Sequence, residues 1–316
     1  MKIVLLEPLG ISAEKLEKLA KGVEAEGHTF TAYPDVTIDT EELKKRSEGA
    51  DILMIANHPL PDEVIDSCEN LKMVSVAFVG IDHVGTEACK RRNIPIYNTG
   101  GYCDDAVAEL AIGLTLDHMR NITKGDKAVQ SGGGKGDLQG NELRGKTVGI
   151  VGTGSIGCRV AEIFKAFGCK LIGYSRSERA RAKEIGIEYC SLQDVMANAD
   201  IISVHTPLTP DTKGLIGKEQ IDAMKPGAIL INTSRGPVVD TEAVAAAIKE
   251  NRIRYGTDEY EKDPPLPEGH PFFGAPNLIC TPHVGFDTVE SIERRADMVF
   301  ENIQTWMDGG DKRKMQ

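Results

Sequence analysis

Long apolar stretches are absent from this 316-residue sequence, and no run approaches the ~18 residues that a membrane-spanning helix needs. The opening apolar stretch, Met1 to Leu6, is too short for a secretory signal, so we expect a strand there. Basic residues are also few, because 37 Lys and Arg stand against 48 Asp and Glu, for a net charge of −11. Nucleic-acid binding relies on basic patches. We therefore expect neither a membrane nor a nucleic acid as a partner.

Paired cysteines are lacking as well. The seven cysteines are scattered, and no two form a Cys-x-x-Cys pair. This spacing is typical of reduced thiols in a cytoplasmic protein, and it excludes a disulfide framework and a cysteine zinc site. We therefore predict a cytoplasmic protein that needs no metal. The remaining composition is ordinary for a globular protein, and the length suits two domains.

A glycine-rich turn stands between a predicted strand and a predicted helix. Thr147 to Val151 is a short, β-branched apolar run, which favours a buried parallel strand. It leads into Gly152-Thr-Gly154-Ser-Ile-Gly157, and helical apolar spacing follows. In such a motif the first glycine allows the tight turn, the second lets the backbone approach a pyrophosphate, and the third lets helix and strand pack closely. The order therefore predicts a dinucleotide site at a helix N-terminus.

Predicted strands alternate with helical patterns along the rest of the chain, which is typical of parallel sheets covered by helices. In the first part we predict strands at 2–6, 29–33, 51–56, 72–77 and 94–97. A long helix from Asp104 to Ile122 separates them from a second series near 147–151, 170–174, 187–190, 200–204, 228–232, 253–256 and 278–281. This pattern predicts two α/β domains, the second of them larger and doubly wound.

The sequence also gives predictions for three further segments. The last helix, Thr288 to Met307, is amphipathic, and we expect it to cover the sheet of the first domain. The tail from Asp311 to Gln316 is expected to be disordered. The glycine-rich segment 131–140 is expected to be a surface loop, with a mobile flap or a dimer arm as the alternative.

Further motifs follow one another along the chain, and together they resemble a known family. They are Phe78 to Val84, Tyr97 to Tyr102, Gly152 to Gly157, His205 to Thr212, Asn232 to Asp240 and Thr281 to Phe286. In this order they resemble the D-isomer-specific 2-hydroxyacid dehydrogenase family, which includes glyoxylate and hydroxypyruvate reductases and phosphoglycerate dehydrogenases. The resemblance implies a Rossmann nucleotide-binding domain, here 101–286, and a smaller flavodoxin-like substrate domain built from both chain ends, here 1–100 with 287–316. It also implies a homodimer.

The reaction of that family moves a hydride between a nicotinamide and C2 of a 2-oxo or 2-hydroxy acid, so the site needs a cation and an acid/base. Arg235 is our candidate cation, because a guanidinium can grip a carboxylate and polarise a carbonyl. His283 is our candidate acid/base, because imidazole titrates near neutral pH. The family places a glutamate before a proline to pair with this histidine; here Asp263 stands at that place, with Glu261 as the alternative. The resemblance also puts the backbone N–H groups of Val79 and Gly80 on the substrate carboxylate.

The resemblance assigns cofactor contacts to residues beside the strand ends of the second domain. These are Gly152, Gly154, Ser155, Ile156, Gly157, His205, Thr206, Pro207, Thr212, Thr233, Ser234 and Asp258, the last toward the nicotinamide carboxamide.

The residues at the end of the second strand of this domain indicate whether the cofactor is NAD or NADP. An NAD site generally has an acidic residue about 20 positions after the glycines to bind the ribose hydroxyls. This chain has Ser175 there, followed by Arg176 and Ser177. Loss of the carboxylate removes repulsion toward a 2′-phosphate, and Arg176 can pair with one. We therefore predict that NADP is preferred and that NAD is possible; the alternative is an arginine stacked on the adenine with NAD bound.

The sequence thus predicts an oxidoreductase of small 2-oxo acids such as glyoxylate or hydroxypyruvate. A bulky Phe78 at the start of the substrate loop favours a small, unphosphorylated substrate. One alternative is an NAD-linked phosphoglycerate dehydrogenase without a regulatory domain. A second, of another class, is a non-catalytic nucleotide sensor or corepressor.

Overall fold

The structure is a computed structural model that describes residues 1–315, and the chain divides into two compact units. One unit holds Met1–Cys103 together with the chain from Asp287 onward, and the other holds Asp104–Phe286. Each contains one sheet of parallel strands with helices packed on it, so the predicted fold class is confirmed. No helix within residues 1–315 is long and apolar enough to cross a membrane.

The first 103 residues form five strands and four helices. The strands are β1 (Lys2–Leu5), β2 (Thr29–Ala32), β3 (Ile52–Ile55), β4 (Met73–Val76) and β5 (Ile96–Tyr97). The helices are α1 (Ala13–Ala25), α2 (Thr40–Ser47), α3 (Asp62–Ser67) and α4 (Thr86–Arg92).

The remaining elements belong to the second unit, except for the last helix. The strands are β6 (Thr147–Val151), β7 (Lys170–Tyr174), β8 (Glu188–Tyr189), β9 (Ile201–Val204), β10 (Ile229–Asn232), β11 (Arg254–Thr257) and β12 (Leu278–Cys280). The helices are α5 (Asp104–Arg120), α6 (Ile122–Gln130), α7 (Ser155–Ala166), α8 (Ala180–Ile185), α9 (Leu192–Asn198), α10 (Lys218–Ala223), α11 (Thr241–Lys249) and finally α12 (Val289–Met307).

The sheet of the first unit has the order β2-β1-β3-β4-β5, which is the flavodoxin-like order. Helix α12 returns from the end of the chain to cover this sheet. Its residues Ala296, Val299 and Ile303 are fully buried in one apolar cluster with residues of β1 and β3. Ser75 Oγ donates to Val299 O at 2.8 Å, which joins β4 to the helix. The first unit therefore draws its core from both ends of the chain.

The expectation of a disordered tail is wrong for residues 311–315. Lys314 bridges Tyr97 in antiparallel fashion, Met315 N donates to Ile96 O at 2.8 Å, and Asn98 N donates to Arg313 O at 3.1 Å. These are backbone contacts to the edge strand β5 and to Asn98 directly after it, which the polar composition of the tail does not indicate. Gln316 lies outside the described residues.

The sheet of the second unit has the order β12-β11-β10-β9-β6-β7-β8, in which the strand order reverses between β6 and β9. This is the doubly wound Rossmann arrangement, whose ligands bind outside the carboxyl ends of the strands at the reversal. The central strands β9 and β10 are buried along their whole length, as expected of strands covered on both faces. The glycine-rich turn after β6 therefore lies at the reversal.

Helix α5 is shorter than predicted, and α6 follows it as a separate helix. Asn121 adopts a left-handed conformation with φ +53°, which ends α5 at Arg120. Asparagine tolerates this conformation better than most residues, so the break is local. Beyond α6, residues 131–140 are a loop, and nearly all of them are exposed.

Candidate active site

Three glycines shape the turn between β6 and α7, each in a different way. Gly152 has φ +98°, and a Cβ there would lie 2.5 Å from His205 O. A Cβ on Gly157 would lie 2.0 Å from Gly152 O, so helix and turn pack closely only because this residue has no side chain. Gly154 has nothing within 4 Å of its Cβ position, which leaves its surface open to a ligand. The turn thus has the tight bend, the open approach and the close packing that a pyrophosphate loop needs.

The N-terminus of α7 faces this open side without a side-chain cap. Gly154 occupies the N-cap position and provides no capping hydrogen bond. The backbone N–H groups of Ser155, Ile156 and Gly157, in the first turn, have no partner within the helix. Free N–H groups and the positive end of the helix dipole favour an anion.

Three buried polar atoms at the carboxyl ends of β9 and β10 lack a hydrogen-bond partner in the described part of the chain: His205 Nδ1, Thr206 Oγ1 and Thr233 Oγ1. Buried polar atoms are rarely left without a partner unless a ligand or water supplies one. Ser203 Oγ lies 2.8 Å from His205 Nε2, and burial lowers the pKa of His205 to about 3, so this imidazole is neutral. The unpartnered atoms and the uncapped helix fit a nicotinamide dinucleotide, which would supply the hydride.

Other predicted cofactor residues have their polar groups engaged within their own loops. Thr212 Oγ1 donates to Pro207 O at 2.6 Å and accepts from Thr209 N at 2.7 Å. Ser234 Oγ donates to Asn232 Oδ1 at 2.9 Å. These contacts fix the two loops beside β9 and β10. A direct contact of Pro207, Thr212 or Ser234 with the cofactor stays a prediction.

The segment after β7 presents positive charge without a protein counter-charge. Arg176 and Ser177 are exposed and Ser175 is half-buried. Arg176 makes no ion pair with any residue that the structure describes, and neither does Arg179. Sequence reasoning missed Arg179, although it stands only three positions after Arg176. Two arginines without acidic partners can therefore receive an anionic group here.

Asp258, at the end of β11, holds the loop that carries the candidate histidine. Its Oδ1 accepts from Thr281 Oγ1 at 2.6 Å and Val284 N at 2.9 Å, and its Oδ2 accepts from Gly285 N at 2.7 Å. The side chain is almost fully buried. Asp258 thus positions the segment around His283, a role that sequence reasoning did not predict. The predicted contact with the carboxamide is not tested by these bonds.

His283 has a carboxylate on each ring nitrogen. Asp263 Oδ1 lies 2.7 Å from Nδ1, and Glu259 Oε1 lies 3.3 Å from Nε2. The residue is in the left-handed region with φ +57°, which histidine adopts more readily than most side chains. Glu261, the alternative partner, instead lies 3.5 Å from His270. The structure therefore brings Asp263, and not Glu261, to the imidazole Nδ1.

Arg235 lies in the same cluster through Glu259. Its Nη1 is 3.4 Å from Glu259 Oε1 and donates to Ser234 O at 2.8 Å. The arginine backbone is held by Asn232 Nδ2, which donates to Arg235 O at 3.0 Å. A guanidinium and an imidazole thus converge on one point from β10 and from the loop after β12. Such a pair can bind an acid, polarise its carbonyl and exchange a proton with its oxygen.

Glu259 is the residue at this site that sequence reasoning missed. Its side chain is only 8% exposed, and burial raises its pKa to about 7, while His283 and Arg235 act in the opposite direction. The sequence does contain one indication of its role. Glu259 directly follows Asp258 at the carboxyl end of β11, and ligands bind at this edge of such a sheet.

Val79 and Gly80, predicted to hold the substrate carboxylate, lie in the first unit, in the loop after β4. Asn98 Nδ2 donates to Val79 O at 2.7 Å, and Thr99 N donates to Phe78 O at 3.0 Å. The N–H groups of Val79 and Gly80 donate to no acceptor among the described residues. Phe78 is buried and its ring meets that of His83 edge-on at 6.1 Å. The loop is thus fixed by its carbonyl groups, and two N–H groups stay available for an anion.

Comparison with known proteins identifies the family. Residues 112–285 match the family described as D-isomer specific 2-hydroxyacid dehydrogenase, NAD binding domain. A glyoxylate reductase of Thermofilum pendens is 35% identical over 277 residues, or 85% of this chain and 82% of the relative.

Two solved structures, each matched over nearly the full length of both chains, bear nicotinamide cofactors. An acyclic imino acid reductase in complex with NADPH and D-Arg covers 100% of both chains, with 27% identity and a TM-score of 0.89. The D-lactate dehydrogenase of Aquifex aeolicus, complexed with NAD and lactic acid, has 26% identity and a TM-score of 0.84, covering 99% of this chain and 97% of that one. The sequence and structural matches agree with the geometry described above, and this chain belongs to the D-isomer-specific 2-hydroxyacid dehydrogenase family.

Proposed function

We propose that this protein reduces small 2-oxo acids, such as glyoxylate or hydroxypyruvate, to D-2-hydroxy acids with NADPH in preference to NADH. Membership of the family makes it an NAD(P)-dependent oxidoreductase. The observation that carries the substrate proposal is the convergence of Arg235 and His283, since an acid with a neighbouring carbonyl needs a cation and a proton donor together. The glyoxylate reductase similarity supports a short substrate.

In the proposed reaction each residue has one task. The Arg235 guanidinium binds the acid and draws electron density toward the carbonyl oxygen. As the hydride reaches C2, the imidazole of His283 gives its Nε2 proton to that oxygen, and Asp263 at Nδ1 stabilises and orients the imidazolium beforehand.

The preference for NADPH is supported by the segment Ser175 to Ser177. It has no carboxylate to repel a 2′-phosphate, and the exposed Arg176 has no acidic partner in the described chain. A charge-assisted hydrogen bond to phosphate contributes roughly 1.5–3 kcal/mol. That is enough for a preference of about 10- to 100-fold in kcat/KM.

The test follows the oxidation of NADPH and of NADH with glyoxylate, hydroxypyruvate, pyruvate, 2-oxoglutarate and a phosphorylated 2-oxo acid in parallel. We expect the highest kcat/KM with NADPH and a short, unphosphorylated acid. Arg235→Ala should lose substrate affinity and rate but still bind NADPH, and Arg176→Ala should raise the KM for NADPH about 10-fold with that for NADH unchanged.

Specific outcomes contradict parts of the proposal. Preference for the phosphorylated acid with NADH would favour a phosphoglycerate dehydrogenase instead. Cofactor binding without turnover of any acid would favour a nucleotide sensor. A loss of cofactor binding in Arg235→Ala as large as the loss of substrate binding would overturn the role given to Arg235.

A homodimer of this protein is also proposed, formed through the second unit. Helix α6 has no buried residue in the single chain, and its Ile122 and Val129 are 56% and 68% exposed. Exposed apolar side chains on a helix are typical of an interface. Light scattering during size-exclusion chromatography would test this, and a monomer at micromolar concentration would contradict it. A cytoplasmic location is proposed on the seven free cysteines.

A further inference from the structure

Glu259 places a carboxylate oxygen where the substrate oxygen of the proposed reaction has to lie. Its Oε1 is 3.4 Å from Arg235 Nη1 and 3.3 Å from His283 Nε2. A carbonyl oxygen that is polarised by this guanidinium and protonated by this imidazole has to approach both of these groups to hydrogen-bonding distance. The two oxygens therefore compete for one position.

The backbone of the second unit holds Glu259 in this place. Thr257 Oγ1 accepts from Glu259 N at 3.2 Å and donates to Glu259 O at 2.9 Å. A Cβ on Gly236, the neighbour of Arg235, would lie 2.0 Å from the carbonyl group of Tyr260, the neighbour of Glu259. The segments that bear the arginine and the glutamate are thus packed backbone against backbone, which places the two residues close together.

Entry of an acid anion changes the electrostatics of this glutamate. Once the anion binds Arg235 and His283, Glu259 loses its contacts with both groups while its side chain stays buried. Asp258 and Asp263 also face it, so the bound anion would become a third negative neighbour. An ionised carboxylate that is buried without a partner is strongly disfavoured, and it becomes neutral instead. A neutral carboxyl group can in turn donate a hydrogen bond to an oxygen of the anion.

We propose that Glu259 is an internal competitor for the substrate oxygen, and that binding of a 2-oxo acid anion is coupled to the uptake of one proton from solvent by Glu259. This inference rests on the proposed function, because it takes the anion to bind at Arg235 and His283. It assigns Glu259 a positioning role that sets the pH range of substrate binding. The proton ends on the carboxyl group and takes no part in the hydride transfer.

The sign of the pH dependence follows from the groups around Glu259. Burial raises the pKa of Glu259 to about 7 in the free site, against the opposing effects of His283 and Arg235 and with the help of Asp258 and Asp263. A bound anion removes the two opposing contacts, so the pKa rises further. Below about pH 7 the group is already protonated, and anion affinity does not depend on it. Above about pH 7 the proton must be taken up on binding, so affinity falls by up to about tenfold per pH unit.

The experiment measures oxamate, an unreactive 2-oxo acid analogue, binding to the full chain saturated with NADPH. Titration calorimetry at about pH 8 in two buffers of different ionisation enthalpy gives the number of protons taken up. The proteins compared are the natural protein, Glu259→Gln and the control Glu261→Gln, which makes the same change two positions on, at a side chain that lies beside His270.

We expect the natural protein and Glu261→Gln to take up about one proton more per oxamate than Glu259→Gln does. Glu259→Gln should also bind oxamate about tenfold more tightly at about pH 8, and with an affinity similar to that of the natural protein at about pH 6. Glu261→Gln keeps Glu259 in place, so it shows how much of any change comes from the loss of a carboxylate elsewhere in this loop.

Equal proton uptake and equal affinity in Glu259→Gln and the natural protein would overturn the inference, and weaker binding by Glu259→Gln would overturn it too. Either result leaves the proposed function standing, since oxamate is still bound. No oxamate binding by any of the proteins, even at about pH 6, would instead refute the proposed function and this inference with it.

Discussion

His283 combines an unusual backbone conformation with two carboxylate neighbours. Its backbone has a left-handed φ of +57°, and Asp258 holds the loop that follows β12 by three hydrogen bonds. Asp263 then fixes one ring nitrogen. A proton donor must be held within a few tenths of an ångström of its working geometry. In the proposed reaction the loop, and not the histidine alone, provides this precision.

The contact of Asp263 with His283 gives a prediction for its charge. Asp263→Asn keeps a hydrogen-bond acceptor at Nδ1 but removes the negative charge that stabilises the imidazolium. We expect kcat/KM for glyoxylate to fall about 10- to 100-fold, which is the usual effect of removing such a supporting carboxylate. Steady-state kinetics at neutral pH would measure it.

Asp263→Glu is the matched variant, because it restores the charge on a longer side chain and should recover most of the activity. The Asp263 side chain is 62% exposed, so neither substitution should change the midpoint of urea unfolding appreciably. Activity of Asp263→Asn within twofold of the natural protein would show that other groups orient the imidazole.

At the scale of single residues, sequence reasoning selected side chains that lie together in the structure, but it did not predict all of their contacts. Arg235, His283 and Asp263 are together in the structure because each follows the carboxyl end of a strand in one sheet, a relation that strand prediction already implies. Glu259 was missed because its importance depends on the direction of a side chain and on its burial. Neither property can be obtained from spacing in a loop without regular periodicity.

In the strand-turn-helix element from β6 to α7, two glycines have different surroundings. A Cβ at Gly157 would meet backbone at 2.0 Å, and a Cβ at Gly154 would meet nothing within 4 Å. The fold therefore requires the first glycine, whereas the second leaves open space beside the turn.

This difference predicts opposite behaviour for two alanine variants. Gly157→Ala should lower the free energy of unfolding by about 1–3 kcal/mol, because backbone atoms must move to admit the methyl group. Gly154→Ala should leave stability within about 0.5 kcal/mol of the natural value but weaken NADPH binding at least 10-fold, since its φ of −70° suits alanine. Urea unfolding and the fluorescence of bound NADPH would measure the two effects.

Gly113, in the interior of α5, provides the control, since a Cβ there also meets nothing within 4 Å. Gly113→Ala should affect neither cofactor binding nor stability adversely. If Gly154→Ala bound NADPH normally, the turn after β6 would not be the pyrophosphate site.

At the scale of elements, the predicted strands all occur within one or two residues of their expected ends, because short apolar runs bounded by turn residues are strong signals. The break at Asn121 was missed, since helical periodicity continues across it.

The prediction for the tail was wrong for another reason. Its order comes from backbone hydrogen bonds to β5, which lies more than 200 residues earlier in the chain, and no local pattern carries that information.

Each of the two units contains an apolar core, and the core of the first unit depends on a helix from the far end of the chain. Ile303 of α12 is fully buried with β1 and β3, whereas Ile248 of α11 is fully buried in the second unit. Local stability in the two units should therefore respond to different substitutions.

Ile303→Ala should destabilise the first unit by about 2–5 kcal/mol through a core cavity. In hydrogen exchange followed by mass spectrometry, we expect faster exchange in β1 to β5 and little change in β6 to β12. Ile248→Ala is the reciprocal control and should give the opposite pattern. Uniform acceleration across both units by either variant would show that the chain unfolds as one cooperative body.

The tail beside β5 has a consequence for the behaviour of the protein in concentrated solution. An uncovered edge strand presents free N–H and C=O groups, which act as a template for pairing with other molecules and so for aggregation. In this chain Met315 N and Arg313 O already occupy groups of β5 and the residue that follows it. Residues 313–315 thus cover this edge of the sheet. A chain without them would be prone to associate with other molecules through the uncovered edge.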